Sequence, residues 1–258
     1  MTHAILRMVS AAVALIATTI GSAGTTAAAA SENIRAADAY PNKPIRFLVP
    51  YAPGGPTDIL ARLVGSKLST LWNQQSLIDN RGGANGVIAA EMAAKSLPDG
   101  YTLFLGNAGV LTSNPALYSK LPYDAIKDFA PINLMAAAPF LLVATPSLGV
   151  QTVSDLVKLA RDKPGQLTFG SGGVGGVAHL AGQLLNFMTG VRTIHVAYKG
   201  AAPAMADVLG GQIHFSFTST VTAVPFVKAG KLVGLAVTTR KRAALLPAIP
   251  TIAESVPI

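Results

Sequence analysis

The chain has 258 residues, of which 50% are hydrophobic and only 12% are charged, and its formal net charge is +8 at pH 7. It contains no cysteine, which excludes thiol catalysis, zinc ribbons and iron–sulfur ligation. The basic residues are dispersed, and their densest cluster, Arg240-Lys241-Arg242, has no interleaved aromatic residue, so we expect no nucleic-acid partner.

The N-terminal residues are typical of a secretory signal. Arg7 forms a basic start, residues 8–20 are apolar or small, and Ala-x-Ala cleavage sites follow. The apolar run is shorter than the roughly 20 residues that a membrane span needs, although an uncleaved anchor is the alternative. We expect residues 1–39 to be a signal peptide and linker, and the mature protein to be periplasmic.

Strand and helix patterns alternate in the first half, which predicts an α/β fold with mostly parallel sheets. Thr57 or Asp58 is expected to cap a helix that ends at Trp72 and has one apolar face. A proline-punctuated stretch covers residues 114–131. The other predicted elements of this half are strands at 44–49, 76–79 and 101–105 and a helix at 87–96.

The second half repeats the alternation. Thr152 is expected to cap a helix, with Asp155 as its capping-box partner. We predict a first lobe of residues 40–138, completed by 239–258, and a second lobe of residues 139–238. Strands 140–144 and 232–237 are the candidate hinge crossings. The remaining predicted elements are strands at 167–169, 193–196 and 213–217 and helices at 177–188, 203–209 and 224–229.

Two glycine-rich loops each follow a predicted strand and open a predicted helix. They are Pro53-Gly54-Gly55-Pro56-Thr57-Asp58 and Gly170-Ser171-Gly172-Gly173-Val174-Gly175-Gly176. A strand, a glycine turn and a helix N-terminus together expose backbone N–H groups to an anion. Two such loops, far apart in sequence, predict two lobes that face one ligand.

Other functions of these loops lack their defining residues. The second loop matches G-x-G-x-x-G, but no Asp or Glu occurs between Gly170 and Asp207, so the acid of a dinucleotide site is absent. Neither loop ends in the Gly-Lys-Ser/Thr of a P-loop. No G-x-S-x-G elbow occurs, although a secreted serine hydrolase using Ser171 and His179 stays an alternative.

The histidines lack the spacing of metal ligands. We expect His195 and His214 to alternate along half-buried strands. Three further candidates have two interpretations each. Asp58 caps its helix or binds ligand; His179 points at the ligand or holds the glycine loop; Tyr198, at the C-terminal end of a strand, binds ligand or packs.

These features, with several short motifs in a fixed order, resemble the periplasmic solute receptors of tripartite tricarboxylate transporters, the Bug family. The resemblance covers nearly all of residues 40–255. The matching motifs are Tyr40-Pro41-Asn42-Lys43-Pro44-Ile45, the first glycine loop, Asp79-Asn80-Arg81, Pro98-Asp99-Gly100-Tyr101-Thr102-Leu103, Leu121-Pro122-Tyr123-Asp124, Asp128-Phe129-Ala130-Pro131, His179-Leu180, Tyr198-Lys199-Gly200 and Pro250-Thr251-Ile252-Ala253-Glu254.

The resemblance implies a two-lobed periplasmic-binding-protein fold, type II-like, that closes on a small carboxylate. It implies a monomer that delivers its ligand to membrane transporter subunits, without catalysis, metal or cofactor. Dicarboxylates, tricarboxylates, aromatic acids and acidic amino acids all fit. With Asn107, which the family turns toward the cleft, and the candidates above, the expected ligand-binding residues are Ala52, Pro53, Gly54, Gly55, Thr57, Asp58, Asn107, Ser171, Gly172, Gly173, Gly175, Gly176, His179 and Tyr198.

The chain departs from the family pattern in two places. Arg81-Gly82-Gly83 has glycine where family members usually have proline. Family members also continue past residues 250–254 with a tryptophan-containing strand and helices that complete the first lobe, whereas this sequence stops at Ile258. We therefore expect uncovered apolar surface and marginal stability, and a truncated, non-functional paralogue is an alternative.

Overall fold

Two separate β-sheets organise residues 40–255, the part of the chain that the computed structural model describes. The predicted signal segment, residues 1–39, and residues 256–258 lie outside it. Both sheets belong to one compact unit that begins at Pro44. None of the helices within the described residues is long and apolar enough to cross a membrane.

The first sheet has three parallel strands in the order β2-β1-β3. Helix α1 connects β1 to β2, and helix α2 connects β2 to β3. A short 3-10 turn, Ala84–Gly86, precedes α2, and a π-turn, Gly109–Ser113, follows β3. The elements are β1 (Ile45–Val49), α1 (Pro56–Trp72), β2 (Ser76–Asn80), α2 (Val87–Ala94), β3 (Thr102–Phe104) and α3 (Asn114–Leu117).

The second sheet has five strands in the order β6-β5-β7-β4-β8 and is mixed. Strands β6, β5 and β7 are parallel, whereas β4 runs antiparallel to both β7 and β8. The elements are β4 (Phe140–Ala144), α4 (Val153–Asp162), β5 (Thr168–Ser171), α5 (Val177–Thr189), β6 (Ile194–Ala197), α6 (Ala201–Leu209), β7 (Phe215–Ser219), α7 (Thr220–Lys228), β8 (Val233–Val237) and α8 (Ile252–Ser255).

Helices cover both faces of the second sheet. Side chains alternate across a strand, so Leu142 of β4 packs toward α4 and α5 while Leu141 packs toward α6 and α7. The predicted capping box of α4 is confirmed, since Thr152 Oγ1 accepts from Asp155 N and the Asp155 carboxylate accepts from Thr152 N. This α/β architecture, with mostly parallel sheets, confirms the predicted fold class.

Helix α1 differs from its prediction in two ways. Its N-cap is Gly55, with no side-chain cap bond, and not Thr57 or Asp58. Its buried residues are Asp58, Ala61 and Gly65, whereas the predicted apolar face is partly exposed, with Leu63 at 60% and Leu71 at 75%. The apolar spacing is helical, but within residues 40–255 nothing covers all of that face.

The segment after β8 lies beside the second sheet in the described residues. Thr251 forms a parallel bridge with Val237, and α8 packs near α4, where Ser154 Oγ donates to Ser255 O at 3.3 Å. The chain enters and leaves this sheet at one place, because Thr238 N donates to Phe140 O at 2.9 Å. The two-lobe boundaries, including the assignment of 239–258 to the first lobe, stay a prediction.

The close approach of α5 to β5 gives the first test. A Cβ on Gly182 would lie 2.2 Å from Cε2 of the fully buried Phe169. Gly182→Ala should therefore overpack the core and lower the free energy of unfolding by about 1–3 kcal/mol in urea titrations. Gly210→Ala, where the nearest atom is 3.4 Å away, is the control. Equal stabilities for the two variants would contradict this packing.

Candidate functional site

A small enclosed cavity of about 40 Å³ lies at the carboxyl ends of the parallel strands of the second sheet, the usual ligand position in open α/β sheets. Pro56 of α1 brings the first glycine loop to it. All eleven lining residues are uncharged, so any electrostatic preference comes from backbone dipoles and hydroxyls. They are Pro56, Phe140, Ser171, Gly172, Ala178, Ala201, Ala204, Ser216, Phe217, Thr218 and Ser219.

Four helix N-termini meet around this cavity. Pro56 begins α1, Ala178 lies in the first turn of α5, Ala201 begins α6, and Ser219 caps α7. The first N–H groups of a helix have no partner inside the helix. The N-caps of α1, α5 and α6 are glycines without a side-chain cap bond, whereas Ser219 Oγ caps α7. Three uncapped N-termini therefore converge on one place.

The first glycine loop is held by a buried carboxylate. Asp58 is 3% exposed, and its Oδ2 accepts from Gly54 N at 2.9 Å and from Arg62 Nε at 3.0 Å. Burial alone would raise the pKa of Asp58, but the hydrogen bonds from Arg62 and Gly54 outweigh it and lower that pKa. Asp58 Oδ1 is buried and accepts no hydrogen bond from the described residues. The observed partners give Asp58 a loop-fixing role.

The second glycine loop is held by hydrogen bonds of its own. Ser171 Oγ donates to Gly173 O at 3.0 Å and accepts from Gly173 N at 3.2 Å. Gly175 N donates to His179 Nδ1 at 3.1 Å. Of the two interpretations of His179, holding the loop is the one that has an observed contact, and this bond requires an unprotonated Nδ1.

His195 lies half-buried on β6, as expected, but the sequence analysis gave it no role at the site. Its Nε2 lies 2.7 Å from Ser171 Oγ, and its ring centroid lies 4.1 Å from that of His179. Burial, with a smaller contribution from His179, lowers the pKa of His195 to about 4. The alternative serine hydrolase would use Ser171 with His179, but here the Ser171 hydroxyl contacts His195, and His179 Nδ1 accepts from Gly175 N. Ser171 is 1% exposed in this structure.

Asn107 and Tyr198 both engage protein groups. Asn107 Oδ1 accepts from Val110 N at 3.1 Å and lies 3.3 Å from Tyr51 Oη. The Tyr198 hydroxyl donates to Asp207 of α6, and burial with that hydrogen bond raises the pKa of Tyr198 to about 12. Neither residue lines the cavity in this structure.

Strand β7 supplies a second group of residues that the sequence analysis passed over. Ser216, Thr218 and Ser219 line the cavity, and each is about 3% exposed. The sequence signal was available: three hydroxyls interrupt a strand that is buried along its whole length. Buried hydroxyls need partners, and here Ser216 Oγ donates to Gly170 O at 2.8 Å.

The loop that follows β1 of the first sheet directly contacts the loop that follows β6 of the second sheet. Ala52 N donates to Lys199 O at 3.1 Å. A Cβ on Gly82 would lie 2.9 Å from Lys199 O, and a Cβ on Gly200 would lie 3.0 Å from Ala52 N. The structure therefore brings the first glycine loop and the loop after β6 together by backbone contact.

Residues 60–257 match the model of the tripartite tricarboxylate transporter family receptor. A UPF0065 protein of Agrobacterium vitis, from the TAR-I ttuE-ttuC' intergenic region, is 40% identical over 85% of this chain. Protein BugT of Bordetella pertussis is 34% identical over 84% of it. The chain spans 63% of the length of the first relative and 67% of the second.

Three solved structures are similar to this chain in sequence and fold. Rpa4515 of R. palustris, solved with adipate, has a TM-score of 0.81 and 40% identity, covering 84% of this chain and 72% of its own. MatC of Rhodopseudomonas palustris, with bound malate, has a TM-score of 0.79 and 31% identity, covering 84% and 74%. Periplasmic binding protein BugD has a TM-score of 0.81 and 33% identity, covering 84% and 72%.

The histidine pair predicts that acid weakens the fold. The folded-state pKa of His195 is about 4 against an ordinary value of 6.5, so the unfolded chain takes up the proton first. Stability should therefore decline as the pH falls from about 6.5 toward about 4. His195→Gln keeps a hydrogen-bonding side chain that does not titrate, so its Tm should decline less steeply. Parallel Tm curves for the two proteins would contradict this assignment.

Proposed function

Because the chain belongs to the tripartite tricarboxylate transporter receptor family, we propose that it is a periplasmic receptor for a small organic carboxylate. In this proposal the ligand lies at the cavity between the first glycine loop and the second sheet. The monomeric receptor then delivers the ligand to a membrane transporter of the tripartite tricarboxylate type. No chemical step or cofactor is part of this function.

The observation that carries the proposal is the convergence of three uncapped helix N-termini on one cavity. Each helix N-terminus carries about half a positive charge and free N–H donors, which together favour an anion. None of the residues that line the cavity is Arg or Lys, so the backbone supplies the attraction for the anion. A carboxylate is the anion that fits both this donor set and the ligands of the relatives, adipate and malate.

The size of the cavity indicates how the ligand enters. About 40 Å³ holds roughly a water molecule, not a whole dicarboxylic acid. The proposal therefore includes a clamshell motion in which the two sheets separate to admit ligand and close again on it. In this proposal the ligand-binding residues predicted from sequence border the opened cleft, with Ser216, Thr218 and Ser219 of β7 added. Of the predicted residues, Ser171 and Gly172 line the cavity in the present structure.

Thermal melting with a panel of acids tests the proposal. Adipate, malate, benzoate and glutamate represent the ligand classes. A ligand that binds only the folded state stabilises it by about 2.7 kcal/mol at 100 times its Kd, so one of these acids should raise the Tm. A protein that melts cooperatively and responds to no small organic acid would overturn the proposed function.

Gly172→Ala tests the position of the site. A Cβ on Gly172 would lie 3.1 Å from Ala201 N, between the second glycine loop and the N-terminus of α6. We expect it to weaken binding by at least ~10-fold, equivalent to 1.4 kcal/mol, in titration calorimetry. Gly210→Ala, at the other end of α6, is the matched control. Equal affinity for both variants would place the ligand elsewhere.

A further inference from the structure

Asn85 belongs to the part of the chain that forms the first sheet, and its buried side chain lies against the second glycine loop. It lies in the turn between β2 and α2 and is 4% exposed. A Cβ on Gly176 would lie 3.1 Å from Asn85 Oδ1, and a Cβ on Gly173 would lie 3.3 Å from Asn85 Cα. Only glycines allow the second loop to pack this closely against Asn85.

The side-chain amide of Asn85 is held by hydrogen bonds to other residues that precede β4. Asn85 Nδ2 donates to Asn114 Oδ1 at 2.8 Å, and the Tyr51 hydroxyl lies 3.2 Å from Asn85 Oδ1. Asn114 is fully buried and its Nδ2 donates back to Asn85 O at 3.2 Å and to Tyr123 Oη at 3.2 Å. This network belongs entirely to residues before β4, so the amide presents a rigid surface to the opposite loop.

The backbone of Asn85 is left-handed, with φ 49° and ψ 40°. Ala84 before it and Gly86 after it also have positive φ, at 45° and 84°. Asparagine adopts the left-handed region more readily than most non-glycine residues, and non-glycine residues with this backbone conformation cluster at ligand clamps and switches.

We propose that Asn85 is a positioning residue that holds the second glycine loop in its ligand-binding shape whenever the two sheets are closed. This rests on the proposed receptor function. The contact with Gly173 and Gly176 exists only in the closed arrangement, because it joins segments from different sheets. Asn85 therefore slows opening and ligand escape, and it does not affect the first encounter between ligand and open cleft.

Asn85→Gly removes the amide while keeping the positive φ. We expect the dissociation rates of adipate and malate to rise roughly 10-fold with association rates within about 2-fold, measured by surface plasmon resonance. Asn73→Gly is a matched control, since Asn73 is an exposed left-handed asparagine at the end of α1, with φ 52°. A slower association with unchanged dissociation, or equal effects in both variants, would overturn the proposal.

A distance measurement tests Asn85 independently of any ligand. The chain has no cysteine, so Lys67→Cys on α1 and Lys158→Cys on α4 can carry unique spin labels. In ligand-free protein, Asn85→Gly should shift the label distance toward longer values, whereas Asn73→Gly should not. An unchanged distribution would overturn the proposal. If none of the four acids, adipate, malate, benzoate and glutamate, binds the parent protein while this shift appears, the receptor function fails and the role of Asn85 in closure stands.

Gly176→Ala provides the reciprocal change from the other loop. Its Cβ would press on Asn85 Oδ1 at 3.1 Å, and on Gly173 O at 3.2 Å, while the φ of Gly176 is an ordinary −67°. We expect longer label distances in Gly176→Ala. In the Gly176→Ala/Asn85→Gly double variant the change should be smaller than the sum of the two single changes, because both act on the same contact. Strictly additive effects of the two changes would mean that these residues do not meet, and would overturn the proposal.

Discussion

The backbone hydrogen bond from Ala52 N to Lys199 O joins the segments that follow β1 and β6, and much of the sequence around the cavity follows from it. Main chains that approach this closely leave no room for side chains. Gly82 and Gly200 stand where a Cβ would meet the opposite backbone, at 2.9 Å from Lys199 O and 3.0 Å from Ala52 N. The glycines are required by contact between the two sheets as much as by turn geometry, so one constraint explains loops distant in sequence.

The electrostatics of the cavity come from the fold. The net charge of +8 is dispersed over the chain, and none of it lines the cavity. Asp58 lies nearby, but Arg62 and Gly54 N occupy its Oδ2 and stabilise its ionised form. The positive ends of α1, α5 and α6 therefore face a cavity lined by uncharged residues. Burial lowers the pKa of both nearby histidines, His179 and His195, which favours their neutral forms.

Sequence patterns were sufficient for the architecture. Strand and helix periodicity located every strand of both sheets, and strand–glycine–helix junctions located both loops. The contact of Ser171 with His195 could not be predicted from the sequence. It depends on the parallel register of β5 and β6, which places His195 beside Phe169, two residues before Ser171. The role of β7 was missed because the predicted strand ended at Phe217, before Thr218 and Ser219, and its hydroxyls were given no role.

The exposed side of α1 marks another limit of sequence patterns. Apolar residues at helical spacing predict that a face is buried, but they do not identify what buries it. Leu63 and Leu71 keep the spacing of a core face and are exposed in the described residues. Ala61 and Gly65, which are small and less conspicuous in the sequence, contact the first sheet together with Leu68 and Trp72 of the predicted face.

A cavity whose donors are main-chain groups has a consequence for how such receptors diversify. In the proposed function anion binding depends on helix N-termini, which substitutions of the lining side chains leave in place. What substitutions can change is the small set of lining side chains, among them Phe140, Phe217 and Thr218. Related receptors can therefore exchange one acid for another without rebuilding the charge-binding apparatus, and ligand preference can drift faster than the backbone that makes binding possible.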